Sequence, residues 1–384
     1  MLFRSAIGWF TTERQCNRLC AFFTSLMPSD ERYFRVKFEN VNIEMCGYEL
    51  PPKVIPSTEI ERRLQPLYDK LKLSVGRLEL MTGIRERRGW AERLPPSAHA
   101  IKAGRRAIET SEIDPARIGA LIYASVSRDF LEPATATYVH QQLKLRPDAF
   151  VFDISNACLG VLNAMVVIAN MIELGQIEAG LVVAAEDGQS LMETTIKTML
   201  DAVGLTRKNT KSSLASLTIG SGAVGVLLTH RSIAKRNHRL LGGAVLSDTD
   251  ANHLCRSVPD RGFAEATVEP VMHTDSESML VEGVRLAADT FDRFLKSVGW
   301  SIDTIDRIVT HQVGKMHRKK LLDAIGVDET KDIPTVEFLG NIGSVSLPIS
   351  LAIGAERGEI ADGDRVAMLG IGSGLNSMML GIEW

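Results

Sequence analysis

Cysteine is scarce in this chain, charge is nearly balanced, and long unbroken apolar runs are lacking. Each shortage excludes something. The five cysteines, Cys16, Cys20, Cys46, Cys158 and Cys255, are scattered and odd in number. That argues against a disulfide framework and for a reducing, cytoplasmic setting. Cys16 and Cys20 stand four apart, but no histidine lies near them, so no zinc site is expected. The net charge of −3 leaves no basic footprint for nucleic acid. A membrane span needs about 20 mostly apolar residues. The stretch "MLFRSAIGWFTTERQCNRLCAFFTSL" (1–26) is interrupted by Arg4, Glu13, Arg14 and Arg18, so no span is expected. The broken run also fits a signal peptide poorly. An amphipathic surface or targeting helix is one reading of it. Met27 opens "MPSDERYF", a natural polar start, so residues 1–35 are expected to be a disordered or mis-called extension.

What is present is a 384-residue chain with 45% hydrophobic and 24% charged residues, the profile of a globular protein with a substantial core. From about Val36 it alternates between strand-like and helix-like pieces. "VKFENVNIEMCGYEL" alternates like a strand, and Thr58 to Glu61 reads as a capping box opening a long helix to about Leu80. A helix over 97–110, a buried strand over 116–126, a helix over 134–145 and a strand over 149–155 follow. "CLGVLNAMVVIANMIELG" (158–175) is apolar nearly all round, which marks a helix buried between layers. "AGLVVAAED" (179–187) is again a strand. This alternation predicts layered α/β sheets. "IGSGAVGVLL" (219–228) and "IGSGLNSMML" (371–380) repeat one pattern, which favours a duplicated fold with halves at 36–229 and 240–384. The polar "HRSIAKRNHR" (230–239) reads as the linker between them.

Cys158 falls at a strand-to-helix junction. Unpaired N–H groups and the dipole of a helix start stabilise an anion, which can lower a thiol pKa. A small buried hydrophobe is the competing reading. His311 ends the apolar strand "IVTHQVG", and Asn341 lies in a glycine turn, "FLGNIGSVSLPIS". A core histidine and a structural asparagine are the ordinary readings. Yet all three residues follow strands, where ligand sites of α/β sheets gather.

At these residues the chain resembles thiolase-fold condensing enzymes of the 3-oxoacyl-[acyl-carrier-protein] synthase III branch. "TGIRERR" (82–88), "NACLG" (156–160), "THQV" (310–313), "GNIGSVSLP" (340–348) and "LGIGSGLN" (369–376) match in order. The 30-residue spacing of His311 and Asn341 also matches. The resemblance covers residue 36 to the C-terminus. It implies an α/β, thiolase-like, duplicated five-layer α-β-α-β-α fold. Cys158 would accept an acyl group from a thioester, with the backbone N–H groups of Cys158 and Ser373 as one oxyanion hole. His311 and Asn341 would polarise the second thioester. No metal or cofactor is implied.

Which condensation follows depends on the carbanion. A malonyl thioester generates it by losing CO₂, whereas two ordinary acyl-CoAs need a general base. "SRDFLEPATATYVH" (127–140) carries Glu132, 26 residues before Cys158. That segment resembles the OleA-type head-to-head acyl-CoA condensing enzymes of olefin biosynthesis, in which the matching glutamate enters the partner subunit's site as the base. The expectation is therefore a homodimer that condenses two fatty acyl-CoA thioesters to a β-keto acid. Glu132 is otherwise a surface carboxylate before a helix. The alternatives are decarboxylative condensation with malonyl thioester, with an acyl carrier protein as partner, or a cysteine thioester hydrolase. A hydroxymethylglutaryl-type synthase is a minor one. A degradative thiolase would need a second cysteine near "GSGLNSMML", and an elongating ketosynthase a second histidine at Asn341. Relatives that hold coenzyme A carry Trp and Arg where this chain has Arg77 and Met81. Arg85, Arg87, Arg88 and the run "KMHRKK" (315–320) are the replacement candidates for phosphate contacts, with Lys319 and Lys320 more readily a solvated helix face.

Overall fold

The computed structural model describes residues 36–202, 204–207, 210–257 and 272–384. The expected extension over 1–35, with Cys16 and Cys20, lies outside the described residues. Among the described residues no helix is long and apolar enough to cross a membrane.

Nine strands carry the architecture: β1 (Val41–Glu49), β2 (Ile118–Tyr123), β3 (Phe150–Asp153), β4 (Ala179–Glu186), β5 (Gly222–His230), β6 (Arg239–Ser247), β7 (Arg307–Thr310), β8 (Arg365–Gly372) and β9 (Asn376–Glu383). They form one sheet in the order β7-β8-β9-β6-β1-β5-β4-β2-β3, with the short strand Val36–Lys37 paired to β6. The order contains the repeat. In the first half β1 pairs antiparallel with β5, β5 antiparallel with β4, β4 parallel with β2, and β2 parallel with β3. In the second, β6 pairs antiparallel with β9, β9 antiparallel with β8, and β8 parallel with β7. An isolated parallel bridge from Ile308 to Asp332 stands where a counterpart of β3 would lie. The halves meet where Asn42 of β1 pairs with Arg239 of β6.

Side-chain alternation builds the layers. Residues i and i+2 of a strand face one way and i+1 the other. Ala120 and Ile122 of β2, Val182 and Ala184 of β4, and Val224 and Val226 of β5 face a central core. Their neighbours Leu121, Tyr123, Leu181, Val183 and Leu227 face an outer core with α1 (Pro96–Ser111) and α2 (Thr135–Leu143). In the second half Val366, Met368, Met378 and Leu380 face the same central core, and Ala367, Leu369 and Met379 face a third core. The central core is filled by α3 (Gly160–Glu173) and α7 (Ser346–Glu356). The third is covered by α5 (Ser276–Val298) and α6 (Lys315–Ile325), while α4 (Gln189–Asp201) packs in a separate cluster with Leu64 and Leu67. Helices, one half of the sheet, helices, the other half of the sheet, helices: the five layers are present, and α3 is the buried helix its composition predicts.

The long helix expected from Thr58 to Leu80 is instead three short ones, Ser57–Arg63, Gln65–Leu71 and Arg77–Thr82. Pro66 begins the second piece, and positive φ at Lys72 (51°) and Gly76 (85°) turns the chain before the third. Glu61 does not complete a cap. It is buried and accepts from Gly76 N at 2.7 Å, Leu78 N at 2.8 Å and Tyr68 Oη at 3.0 Å, tying the pieces together.

Candidate active site

A cavity of about 1490 Å³ opens at the ends of β4, β7 and β8, and Cys158, His311, Asn341 and Ser373 all line it. Cys158 follows β3 and stands two residues before the first residue of α3. Ala157 adopts φ 44°, a left-handed conformation uncommon for a residue with a side chain, and turns the backbone from strand to helix. Gly160 lets α3 start tight against β2, since a Cβ there would lie 3.0 Å from the Ala124 carbonyl oxygen. The turn between β8 and β9 closes on the other side, where a Cβ on Gly372 would lie 3.4 Å from Cys158 N. That contact brings the second Gly-Ser-Gly beside the Cys158 backbone.

The thiol is not acidified as a helix start alone predicts. Burial, with smaller contributions from Glu186 and Cys255, pushes Cys158 up to about 12. Removing a thiolate from water outweighs the few unpaired N–H groups at the helix end.

His311 immediately follows β7, and its N–H donates to Leu369 O at 3.0 Å. Thr310 before it is held by Asp332, through N–H at 3.2 Å and Oγ1 at 3.1 Å, and Arg318 Nε donates to the same carboxylate at 2.5 Å. Gln312 after it accepts from Thr335 N and Val336 N, both at 2.8 Å. The ring is 5% exposed, and neither nitrogen has a protein partner among the described residues. Burial, with His317 nearby, lowers its pKa to about 4, so it is a neutral imidazole at physiological pH.

Asn341 is held by the first Gly-Ser-Gly. Its N–H donates to Thr218 O and its carbonyl accepts from Gly220 N, both at 2.9 Å. Glycine is required at Gly220, where a Cβ would sit 2.1 Å from Leu339 O. Asn341 Oδ1 accepts from Gly343 N at 3.0 Å, which leaves the Nδ2 amide as its donor. The two copies of the repeat thus serve different ends of one site.

The other expected residues are not brought together here. Glu132 is exposed on the loop before α2 and is not on the cavity wall. Arg87 is fully buried and bonded to Ser57 Oγ at 3.0 Å, so it has no surface for a phosphate. Arg85 is spent on Glu337 at 2.7 Å, Arg88 lies 3.8 Å from Glu86, and neither lines the cavity. Arg318 of the basic run is committed to Asp332, and Lys319 lies 3.7 Å from Asp323. Met81, Met316, His317, Arg93 and Arg128 do line the cavity. So do Glu186 and Asp187, which sequence reasoning passed over. They end an apolar strand as His311 does, and that shared position was the available signal. Among the described residues no cluster of three or more His, Cys, Asp or Glu is placed to hold a metal.

The chain is similar to known proteins over most of its length. The 3-oxoacyl-[acyl-carrier-protein (ACP)] synthase III family matches residues 152–249, and its C-terminal region matches residues 295–384. The acyl-CoA:acyl-CoA alkyltransferase of Shewanella oneidensis is 44% identical over 91% of this chain and 100% of its own length. The acyl-CoA:acyl-CoA alkyltransferase of Xanthomonas campestris pv. campestris is 37% identical over 90% of this chain and 99% of its own. A cysteine-to-serine variant of Xanthomonas campestris OleA, crystallised with lauric acid and lauroyl-CoA, superimposes with a TM-score of 0.84 at 36% identity, over 90% of this chain and all of that one.

Proposed function

The chain belongs to the acyl-CoA:acyl-CoA alkyltransferase family of synthase III-like condensing enzymes, and we propose that it joins two fatty acyl-CoA thioesters head to head through an acyl-Cys158 intermediate, releasing a β-keto acid. The observation that carries the reading is the convergence of Cys158, His311, Asn341 and Ser373 on one cavity. At about 1490 Å³ it exceeds the roughly 300–1,000 Å³ of an ordinary small-ligand pocket, as suits long acyl chains.

Cys158 takes the first acyl group, and the N–H groups of Cys158 and Ser373 receive the oxyanion. The second thioester places its carbonyl oxygen between a neutral His311 N–H and Asn341 Nδ2, which strengthens as an enolate forms. Each such donor contributes about 3–4 kcal/mol to the transition state. Glu132 removes the α-proton. It is exposed in its own subunit, and the flanking Val126, Phe130, Leu131 and Tyr138 are exposed apolar residues. Dimerisation across that surface would cover them and carry Glu132 into the partner's cavity. Coenzyme A phosphates meet Arg93 and Arg128 on the cavity wall rather than Arg85, Arg87 or Arg88. The product suits head-to-head olefin biosynthesis in the cytoplasm.

The test is purified protein with long-chain acyl-CoA alone. β-Keto acid, or the ketone left by its decarboxylation, is the expected product. Cys158→Ala abolishes the acyl mass adduct, and Glu132→Ala retains the adduct but loses condensation. Turnover only when malonyl thioester is added would replace this reading with the decarboxylative one.

A further inference from the structure

The loop between β2 and α2 is pinned more firmly than its surface position requires. Its tip, Phe130 to Pro133, is exposed, with Leu131 66% and Phe130 39% open to solvent. Asp129 before the tip and Thr135 after it are buried. The Asp129 N–H donates to Thr135 Oγ1 at 3.3 Å, which closes the tip at its root. The Asp129 carboxylate reaches α1. Its Oδ1 accepts from Ser97 N at 3.0 Å, and Ser97 Oγ donates to its Oδ2. Ser97 is the second residue of α1, so its N–H has no partner inside the helix, and the dipole there favours a carboxylate. Asp153, the last residue of β3, holds the other side. Its Oδ2 accepts from Thr135 N at 2.8 Å and its Oδ1 from Ala136 N at 2.9 Å. Upstream, Ser127 is fixed by its N–H to Ser125 Oγ at 2.9 Å and its Oγ to Glu186 Oε2 at 3.1 Å.

Burying a carboxylate is unfavourable unless it is well bonded, so the clamp calls for a reason. Among the described residues the tip belongs to none of the hydrophobic cores. Phe130 and Leu131 stand out in water, where a free loop would fold them back over nearby apolar surface. Anchors on both sides leave only a few residues between them, so the shape of the tip is set before anything meets it. That matters most for a residue acting in another subunit, since ordering a loop on contact weakens the contact.

We propose that Asp129 is a positioning residue for Glu132: by tying the root of the tip to α1, it holds Glu132 in the pose that the partner's cavity receives. The inference rests on the reading of Glu132 as the base for the partner's site. Asp129 is not on the cavity wall, and its effect passes through the 129–135 loop. The α-proton still goes to Glu132.

Asp129→Ala should leave single-turnover acylation of Cys158 within about threefold of wild type and slow condensation about 30-fold, in kcat rather than KM, as displacement of a catalytic group does. Asp129→Asn, which keeps an acceptor for Ser97 N, should recover part of the rate. A general loss of structure would not choose between subunits, and mixed dimers expose that choice. Asp129→Ala refolded with Cys158→Ala forms one site whose nucleophile comes from the first variant and whose Glu132 comes from a subunit with an intact clamp. Roughly a quarter of wild-type activity should return. Asp129→Ala refolded with Glu132→Ala should not exceed Asp129→Ala alone, because every Glu132 present is unclamped. The reverse pattern would overturn the proposal, since it would make Asp129 serve the cavity of its own subunit. Condensation by Asp129→Ala within about threefold of wild type, or acylation slowed as far as condensation, would overturn it too. If Asp129→Ala does not fold, Thr135→Val, which keeps the side-chain shape but breaks the bond from Asp129 N, goes through the same mixtures with the same expected pattern. Glu132→Ala refolded with Cys158→Ala separates the two claims. No recovery there would remove the Glu132 reading and this proposal with it, whereas recovery there but not with Asp129→Ala would overturn the clamp alone.

Discussion

Single residues in this site are governed by burial more than by sequence neighbours. Cys158 has a helix start beside it and still holds its proton, because desolvation of the thiolate dominates. His311 shows the same effect with opposite sign, and a pH prediction follows. Its folded-state pKa is about 4 against 6.5 for the free side chain, so between those values the unfolded chain binds a proton that the native chain does not. Stability therefore falls as pH drops from 6.5 toward 4, by on the order of 1–2 kcal/mol at pH 5 from this one group. Urea melts at pH 7 and pH 5 should show that loss, and His311→Asn should show a smaller one. Equal pH dependence in both proteins would contradict the buried neutral imidazole. Cys158 and His311 could be singled out because each follows a strand within a recognisable motif, whereas Asn341, expected after a strand, instead follows the short helix Val336–Leu339 and was marked by its motif alone. Glu186 ends a strand, but carboxylates there are ordinary, and only coordinates reveal that this one is buried on the cavity wall.

At the scale of elements, periodicity located the strands and helices that fill the core, and it failed where a local break outweighed it. Helix α1, predicted over 97–110, runs Pro96–Ser111, and β4, predicted over 179–187, runs Ala179–Glu186. The segment from Thr58 to about Leu80 reads as one helix from its capping box, yet Pro66 and the left-handed Lys72 and Gly76 divide it. The ion pair that braces β7 against α6 was not legible at all, since Arg318 and Asp332 are distant members of unremarkable runs. Asp332 has no exposed side-chain surface and holds both Thr310 and Arg318. Arg318→Ala would leave a buried carboxylate without its cation, at a cost of about 3 kcal/mol. Denaturant melts should record that loss. Condensation should fall further than Cys158 acylation, because the Thr310–His311 junction loosens while the β3–α3 junction is untouched. A loss below about 1 kcal/mol would mean that the pair is only a surface ornament.

At the scale of the whole molecule, the duplicated fold explains why the proposed site draws on both halves. The first half supplies Cys158 on the β3–α3 junction and the Gly-Ser-Gly clamp under Asn341. The second supplies His311, Asn341 and the Ser373 turn. The repeat was visible in sequence as two decapeptides, but its division of labour depends on which strand each copy abuts. One polar group of the proposed chemistry, Glu132, still lies outside its own cavity. If it serves the partner's site, Glu132→Ala and Cys158→Ala are each inactive in condensation, yet a mixed dimer contains one complete site. That site takes Cys158 from the Glu132→Ala subunit and Glu132 from the Cys158→Ala subunit. Random subunit exchange makes half the dimers mixed, each with one working site of two, so roughly a quarter of wild-type activity should return. Refolding the two variants together and assaying long-chain acyl-CoA condensation measures it. No recovery, with mixed dimers verified by mass, would place the base in the same subunit as the nucleophile.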